Sequence, residues 1–199
     1  MDIAALALYL LWALLAFGWR TIDQRRRTGD SGLRLHAQPN TPQWWAKIGF
    51  GIAILVGFAA PIAAVVGLGN IAALDATWLH IAGIVVTVAG IALTVAAQYS
   101  MGASWRIGVD PHERTDLVTD GAFRLARNPI FTAMLITATG LAMMIPNIIS
   151  LVGLAALIAA LEIQVRLVEE PYLVHTHGDQ YRSYAQTVGR FAPGIGCID

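Results

Sequence analysis

Four charged residues lie close together near the C-terminal end of a long apolar stretch. Glu162, Arg166 and Glu170 recur every four residues, and Glu169 adjoins the last of them. Residues at i, i+4 and i+8 share one face of an α-helix, so this spacing predicts a line of charges along one helix face. Adjacent carboxylates repel each other unless a cationic group, such as an ammonium or sulfonium, lies beside them. The pattern predicts either a solvated ladder of ion pairs or one wall of a cation-binding site.

Glu162 is the charged residue that lies within the apolar run itself. An ionisable side chain at membrane depth costs at least about 2.5 kcal/mol unless it faces a polar cavity or a partner. Glu162 is therefore a candidate site residue.

A second polar cluster, "GAFRLARNP", precedes the same apolar stretch. Gly121 predicts a turn, Arg124 and Arg127 are three residues apart, and Asn128-Pro129 places a proline where a helix begins, at the position where it costs least. A structural explanation is a helix start whose arginines reach lipid phosphates. A functional explanation is that Arg127 binds a carboxylate and that Asn128 donates a hydrogen bond to a cofactor or substrate.

The C-terminal segment contains two tyrosines, Tyr181 and Tyr184, three residues apart. An amphipathic helix lying on a membrane accounts for most of this pattern. His175 and His177 are two residues apart and would not share a helix face, so we predict no metal site. The sequence also contains no phosphate-binding loop, nucleophile elbow or HExxH motif.

The composition indicates a membrane protein. Of 199 residues, 56% are hydrophobic and only 13% are charged, and the mean hydropathy is +0.60. A soluble domain carries about 25% charged residues. The formal net charge of zero and the lack of a basic domain give no sign of nucleic-acid binding. The single cysteine, Cys197, excludes an intramolecular disulfide and a cysteine-based zinc site.

Five apolar stretches predict an all-α membrane protein with about five transmembrane helices. They cover residues 3–17, 45–68, 78–97, 130–145 and 148–165. The first lacks the basic flank and cleavage site of a signal peptide, so we expect a retained span. The last two are shorter than the roughly 20 residues that cross a bilayer, and Pro146-Asn147 joins them into a helical hairpin.

The basic residues predict the orientation. All 13 Lys and Arg lie in residues 19–47, in residues 98–128 or beyond residue 165. With five spans these segments share one side of the membrane, which the positive-inside rule makes the cytoplasmic side. We therefore expect the N-terminus outside and the C-terminus in the cytoplasm, where the hairpin brings the Arg-Asn-Pro and Glu-Glu clusters together.

The stretches "LVTDGAFRLARNPIF" and "EEPYLVHTHGDQYRSYAQTVGRFAP" resemble the integral-membrane methyltransferase family. This family includes isoprenylcysteine carboxyl methyltransferases and is related to phospholipid N-methyltransferases. The resemblance covers about residues 80–193, and the second stretch matches at Glu169, Glu170, Leu173, Gly178, Tyr181, Tyr184, Val188, Arg190 and Pro193. The chain departs from the pattern at Ala122, Phe123, Asn128 and Phe131, which replace Pro, Tyr, His and Tyr, and at His177, which replaces Phe. Asn128 retains a hydrogen-bonding group but does not titrate near neutral pH.

The resemblance implies S-adenosylmethionine as cofactor, bound at the cytoplasmic ends of the last spans under a C-terminal tail helix. A lipophilic acceptor would enter from the bilayer. Residues 78–199 would form the methyltransferase core, and residues 1–77 would supply two further membrane helices and a loop. The implied cofactor contacts are Gly102, Gly121, Asn128, Pro129, Glu169, Glu170, Tyr181, Tyr184 and Arg190. Glu169 and Glu170 would contact the cationic methionine portion.

The acceptor chemistry stays open at this level. A carboxylate acceptor is already ionised and needs only a cation such as Arg106, Arg127 or Arg166 to place it. An amine must first lose a proton, which favours a role for Glu162, whereas a thiol acceptor would need its thiolate stabilised. Phospholipid N-methylation, thiol S-methylation, a reductase using NADPH and a non-enzymatic interaction protein are the alternatives. No pattern in the sequence indicates an oligomeric state.

Overall fold

The computed structural model of the protein describes residues 1–110, 113 and 116–198, and this part of the chain is helical with no β-strand. Arg114, one of the basic residues behind the predicted orientation, lies outside the described residues. Six helices account for the architecture: α1 (Asp2–Thr28), α2 (Pro42–Val65), α3 (Thr77–Ser100), α4 (Pro129–Met144), α5 (Ile148–His177) and α6 (Asp179–Thr187).

The predicted all-α membrane fold is confirmed. Within the described residues, α1, α2, α3 and α5 are long and apolar enough to cross a bilayer, so the protein is an integral membrane protein with several spans. The helix α4 has 16 residues, fewer than the roughly 20 that a perpendicular span needs. It is held on one side by α3 and joined to α5 by a tight turn.

Two helices extend beyond their predicted ends. The first was expected to stop at residue 17 but continues to Thr28 through a π-helical turn, Leu14–Trp19. The last apolar span was predicted to end at residue 165, with a charged helix face reaching Glu170, and the helix continues to His177 through a second π-helical turn, Val165–Glu169. Ion pairs one turn apart, such as Asp23 with Arg27, support helices at these polar ends.

Pro171 does not end α5, although proline normally interrupts a helix. It is the second residue after the π-helical turn, where the regular i→i−4 hydrogen-bond pattern is already broken. The missing N–H of the proline therefore costs little at this position.

The turn predicted at Pro146-Asn147 is present and is fully enclosed. Asn147 is 0% exposed, and its side-chain oxygen accepts a 2.9 Å hydrogen bond from the backbone N–H of Ser150 at the start of α5. Its Nδ2 donates to the carbonyl of Ala60 in α2 at 3.3 Å. One side chain thus caps α5 and fixes the hairpin against the N-terminal half of the chain.

Close approach of α3 and α4 depends on glycines. A Cβ added at Gly83 would lie 2.7 Å from the carbonyl oxygen of Gly140, and one at Gly90 would lie 2.6 Å from the backbone nitrogen of Thr137. Both distances are far shorter than van der Waals contact. Small residues let helix backbones approach in a membrane, where dispersion and hydrogen bonding replace the hydrophobic effect between helices.

Replacing Gly83 by alanine should separate α3 from α4 and destabilise the protein by about 1–3 kcal/mol, because the added methyl group meets backbone atoms that have no room to move. The matched control is Gly51→Ala in α2, since a Cβ at Gly51 meets nothing within 4 Å. That change should be neutral or slightly stabilising because alanine favours helix. Thermal unfolding in detergent measures both, and equal midpoints for the two variants would contradict the packing argument.

Candidate active site

The polar ends of the helices meet at what we call the charged end of the bundle, formed by the described residues within 19–47, 98–128 and 166–198. At its centre, Glu170 of α5 accepts hydrogen bonds from two arginines. Arg127 Nη2 lies 2.7 Å from Glu170 Oε1, and Arg190 contacts both carboxylate oxygens at 2.7 and 3.0 Å. Glu170 is 8% and Arg127 5% exposed. Such multiple, charge-assisted hydrogen bonds are what a buried carboxylate requires.

Arg127 also holds the C-terminal tail. Its Nη1 donates to the carbonyls of Ala185 and Val188 at 2.7 Å, and its Nη2 donates to the carbonyl of Gly196 at 3.0 Å. The sequence suggested that Arg127 binds the carboxylate of a cofactor or substrate. In the structure its carboxylate partner is instead the protein's own Glu170, and its side chain is only 1% exposed. Arg127 therefore holds Glu170 and the C-terminal tail together inside the protein.

The start of α4 pairs with the tail through its backbone. The N–H of Arg127 donates to the carbonyl of Gly189 at 2.8 Å, and the backbone and side-chain nitrogens of Asn128 both donate to the carbonyl of Arg190, at 3.1 and 3.0 Å. Thr132 Oγ1 adds a bond to the carbonyl of Phe191 at 2.7 Å. Asn128, which replaces the histidine of the family pattern, thus binds the tail, and the buried Pro129 begins the helix beside it.

The two tyrosines of α6 pack the tail onto the turn before α4. Tyr181 is 1% exposed, and Tyr184 donates its hydroxyl to the carbonyl of Phe123 at 2.6 Å. Burial raises the pKa of Tyr181 and of Tyr184 to about 12 in each case. Both phenols therefore stay protonated at neutral pH, and they serve packing and hydrogen bonding instead of proton transfer.

Glu169 has a different environment from its neighbour Glu170. It accepts a 3.0 Å hydrogen bond from the neutral amide of Gln164, and among the described residues it forms no ion pair. Glu162 and Arg166 pair with each other along α5, with side chains 38% and 55% exposed. The structure therefore divides the predicted charged face into three parts. Glu170 is buried and hydrogen-bonded at both carboxylate oxygens, and Glu169 forms no ion pair among the described residues. Glu162 and Arg166 form a half-exposed ion pair.

Gly102 and Gly121 form the turns that leave α3 and precede α4. Both have positive φ, +57° and +59°, which L side chains rarely adopt. The carbonyl of Gly102 accepts a 2.8 Å hydrogen bond from Arg20, and a Cβ at Gly121 would lie 3.0 Å from Ser100 Oγ. These glycines shape two loops at the charged end of the bundle.

Sequence reasoning missed Arg20 and Gln24 in α1. They are 2% and 3% exposed, Arg20 stacks 4.7 Å from the ring centre of Trp105, and Gln24 donates to the carbonyl of Ala103 at 2.8 Å. Their i, i+4 spacing on one helix face was the available signal. It was overlooked because the first helix was expected to end at residue 17.

This chain belongs to the phospholipid methyltransferase family, whose sequence model matches residues 78–180, more than half of the chain. Protein-S-isoprenylcysteine O-methyltransferases A and B of Arabidopsis thaliana are 30% and 29% identical to it over 120 residues. Each match covers 59% of this chain and 61% of the relative. These matches confirm the resemblance carried by the two sequence motifs.

A solved structure of a eukaryotic intramembrane Ras methyltransferase, an isoprenylcysteine carboxyl methyltransferase, has the same fold. The TM-score is 0.64 at 21% sequence identity, and the alignment covers 100% of this chain and 69% of that chain. The shared fold extends over the N-terminal helices, which the family motifs do not reach.

Replacing Glu170 by glutamine should destabilise the protein by about 3–5 kcal/mol, because it leaves the enclosed guanidinium of Arg127 without its carboxylate. The tail should become accessible to proteases at the same time. The matched control is Glu162→Gln in the same helix, where the half-exposed pair with Arg166 is worth at most about 1 kcal/mol. Thermal unfolding and limited proteolysis check both variants, and an equal response would show that Glu170 is not the anchor of the tail.

Proposed function

We propose that the protein is a membrane methyltransferase that takes its methyl group from S-adenosylmethionine and acts on a lipophilic acceptor of the isoprenylcysteine type. The observation that carries the proposal is the meeting of the two family motifs. The Arg127-Asn128-Pro129 segment and the Glu169-Glu170 pair are separated by a membrane hairpin, yet Arg127 and Glu170 are hydrogen-bonded. Residues that are distant in sequence thus lie together at one end of the bundle.

The residues present fit the cofactor. Its methionine portion carries an ammonium, a sulfonium and a carboxylate, and a site for it needs both an acceptor and a cation. Of the two adjacent carboxylates, Glu170 is paired with Arg127 and Arg190, whereas Glu169 forms no ion pair among the described residues, so Glu169 would hold the cationic portion. Arg166, whose side chain is 55% exposed, would hold the carboxylate. Gly102 and Gly121 would allow a bound ligand to lie close to the backbone.

The bound cofactor would supply an electrophilic methyl group, and the protein itself would contribute alignment and the exclusion of water. The tail, fixed by Arg127 and Glu170, would cover the site and keep water from it. A carboxylate acceptor needs no base at neutral pH and requires only a cation to hold it. For an amine acceptor, the half-exposed Glu162 of α5 would be the carboxylate that takes the proton.

The basic residues support a cytoplasmic location for the charged end of the bundle. The N-terminus would then lie outside, and the turn at Pro146 would lie near the outer surface. A lipophilic acceptor would reach the site from the bilayer while the cofactor arrives from the cytoplasm. N-methylation of a phospholipid is the second candidate, because the description of the matching family favours it.

Calorimetry on the detergent-purified chain should show saturable binding of S-adenosylhomocysteine, the demethylated cofactor. Glu169→Gln should weaken that binding by roughly tenfold or more, because it removes the unpaired carboxylate that faces the cationic portion. Asp179→Asn is the matched control, since Asp179 is an exposed carboxylate at the start of α6. Its binding constant should equal that of the wild type.

The acceptor class follows from incubation with labelled S-adenosylmethionine and three kinds of acceptor: prenylcysteine analogues, phosphatidylethanolamine and small thiols. We expect base-labile methyl ester to form on the prenylcysteine analogue. Absence of S-adenosylhomocysteine binding by the wild type would overturn the proposed function. Label in the lipid alone would assign the second candidate.

A further inference from the structure

A separate polar cleft lies between the end of α1 and the segment that follows α3. Its volume is about 290 Å³, and Gln24, Arg34, Trp105, Arg106 and Glu113 are among its lining residues. Ligand pockets in proteins begin at about this size. None of these residues belongs to the cluster of Arg127, Glu170 and Arg190.

Two enclosed polar atoms on the lining residues lack hydrogen-bond partners within the described part of the chain. Gln24 uses its Nε2 to hold the carbonyl of Ala103, but its Oε1 accepts nothing. Arg106 donates from Nη2 to the hydroxyl of Tyr172 at 3.3 Å, whereas its Nη1 donates to nothing. Enclosed donors and acceptors are seldom left unsatisfied, so an unpaired atom of each kind beside one cleft points to a ligand.

The carboxylates of the cleft are engaged elsewhere. Glu113 Oε1 lies 2.7 Å from Arg34 Nη2, and Asp30 pairs with the same guanidinium. The second oxygen of Glu113 is 3.6 Å from Arg106 Nη1, which is an ion pair but beyond hydrogen-bonding distance. The side chain of Arg106 is 10% exposed. It is therefore an enclosed cation on the cleft wall whose Nη1 lacks a hydrogen-bond partner.

The other two arginines considered for the acceptor are less suited to it. Arg127 is bound to Glu170 and to three carbonyls of the tail. Arg166 is half-exposed and paired with Glu162. By contrast, Arg106 combines burial, a free donor and an adjoining cavity.

We propose that Arg106 and Gln24 bind the polar head of the methyl acceptor. Arg106 Nη1 donates to an anionic oxygen of the acceptor, and Gln24 Oε1 accepts from a neighbouring N–H group. An acceptor with a carboxylate next to an amide has this chemistry, and so does a phosphate next to an amine. The assignment rests on the proposed methyl transfer, and it names the residues that select the acceptor.

The experiment is calorimetric binding to the full-length protein in detergent. The probes are N-acetyl-S-farnesylcysteine, its methyl ester, phosphatidylethanolamine in mixed micelles and S-adenosylhomocysteine. The wild type should bind either the free acid or the lipid, and an acid-binding protein should bind the ester more weakly. Arg106→Gln should weaken binding of the preferred anionic probe by about 10- to 100-fold, the effect of losing one hydrogen bond to a charged group. Arg106→Lys should recover part of the loss.

Arg26→Gln is the charge-matched control, because Arg26 is an exposed arginine of the same helix as Gln24. It should bind every probe as the wild type does. S-adenosylhomocysteine should still bind to all variants, which shows that they are folded and separates the failure of this assignment from the failure of the proposed function.

Three results would overturn the assignment. One is equal binding of the anionic probe by the wild type and Arg106→Gln. Another is a parallel loss of S-adenosylhomocysteine binding in Arg106→Gln, which would indicate a structural role. The third is a wild type that binds neither anionic probe. A wild type that binds an anionic probe but not S-adenosylhomocysteine would instead remove the methyltransferase proposal and leave the anion site standing.

Discussion

Burying the carboxylate of Glu170 at the end of a membrane helix obliges the protein to bring cations to it. The energetic cost of removing a charge from water is large and is recovered only through close, well-directed partners. Arg127 comes from the start of α4 and Arg190 from the tail, so satisfying one carboxylate joins three separate parts of the chain. The position of the tail and the start of α4 both depend on this arrangement.

The membrane imposes a second constraint on the same region. Backbone groups inside a bilayer must be hydrogen-bonded within the protein, so irregular segments are tolerated only where protein or water satisfies them. At the charged end, side chains satisfy the irregular backbone, since Arg20, Gln24 and Arg127 each donate to loop or tail carbonyls. Arg127, which the sequence suggests as a catalytic residue, thus also stabilises a non-helical part of the tail. The loop that Gln24 holds borders the polar cleft.

The hairpin and the membrane class could be predicted because their signals are local. A long run of apolar residues predicts a membrane-spanning helix, and Pro146-Asn147 predicts a turn whatever packs around it. The extension of α1 was not predicted, because the segment after residue 17 is largely polar. That of α5 was predicted only as far as the charged face that ends at Glu170. The predicted cluster of charged residues was found, but its division into an enclosed Glu170 and an unpaired Glu169 was not foreseeable. Adjacent carboxylates are chemically alike until their surroundings differ.

The sequence by itself determined that this is a helical membrane protein with two charged motifs joined by a hairpin, since residue type and spacing suffice for those conclusions. Only the tertiary structure determined which charged side chains pair with each other. It paired Arg127 with Glu170, and it left Arg106 and Gln24 with unpaired atoms beside a cleft. The physical reason is that pairing between ions depends on distance and burial in three dimensions, and neither quantity is encoded in the separation of residues along the chain.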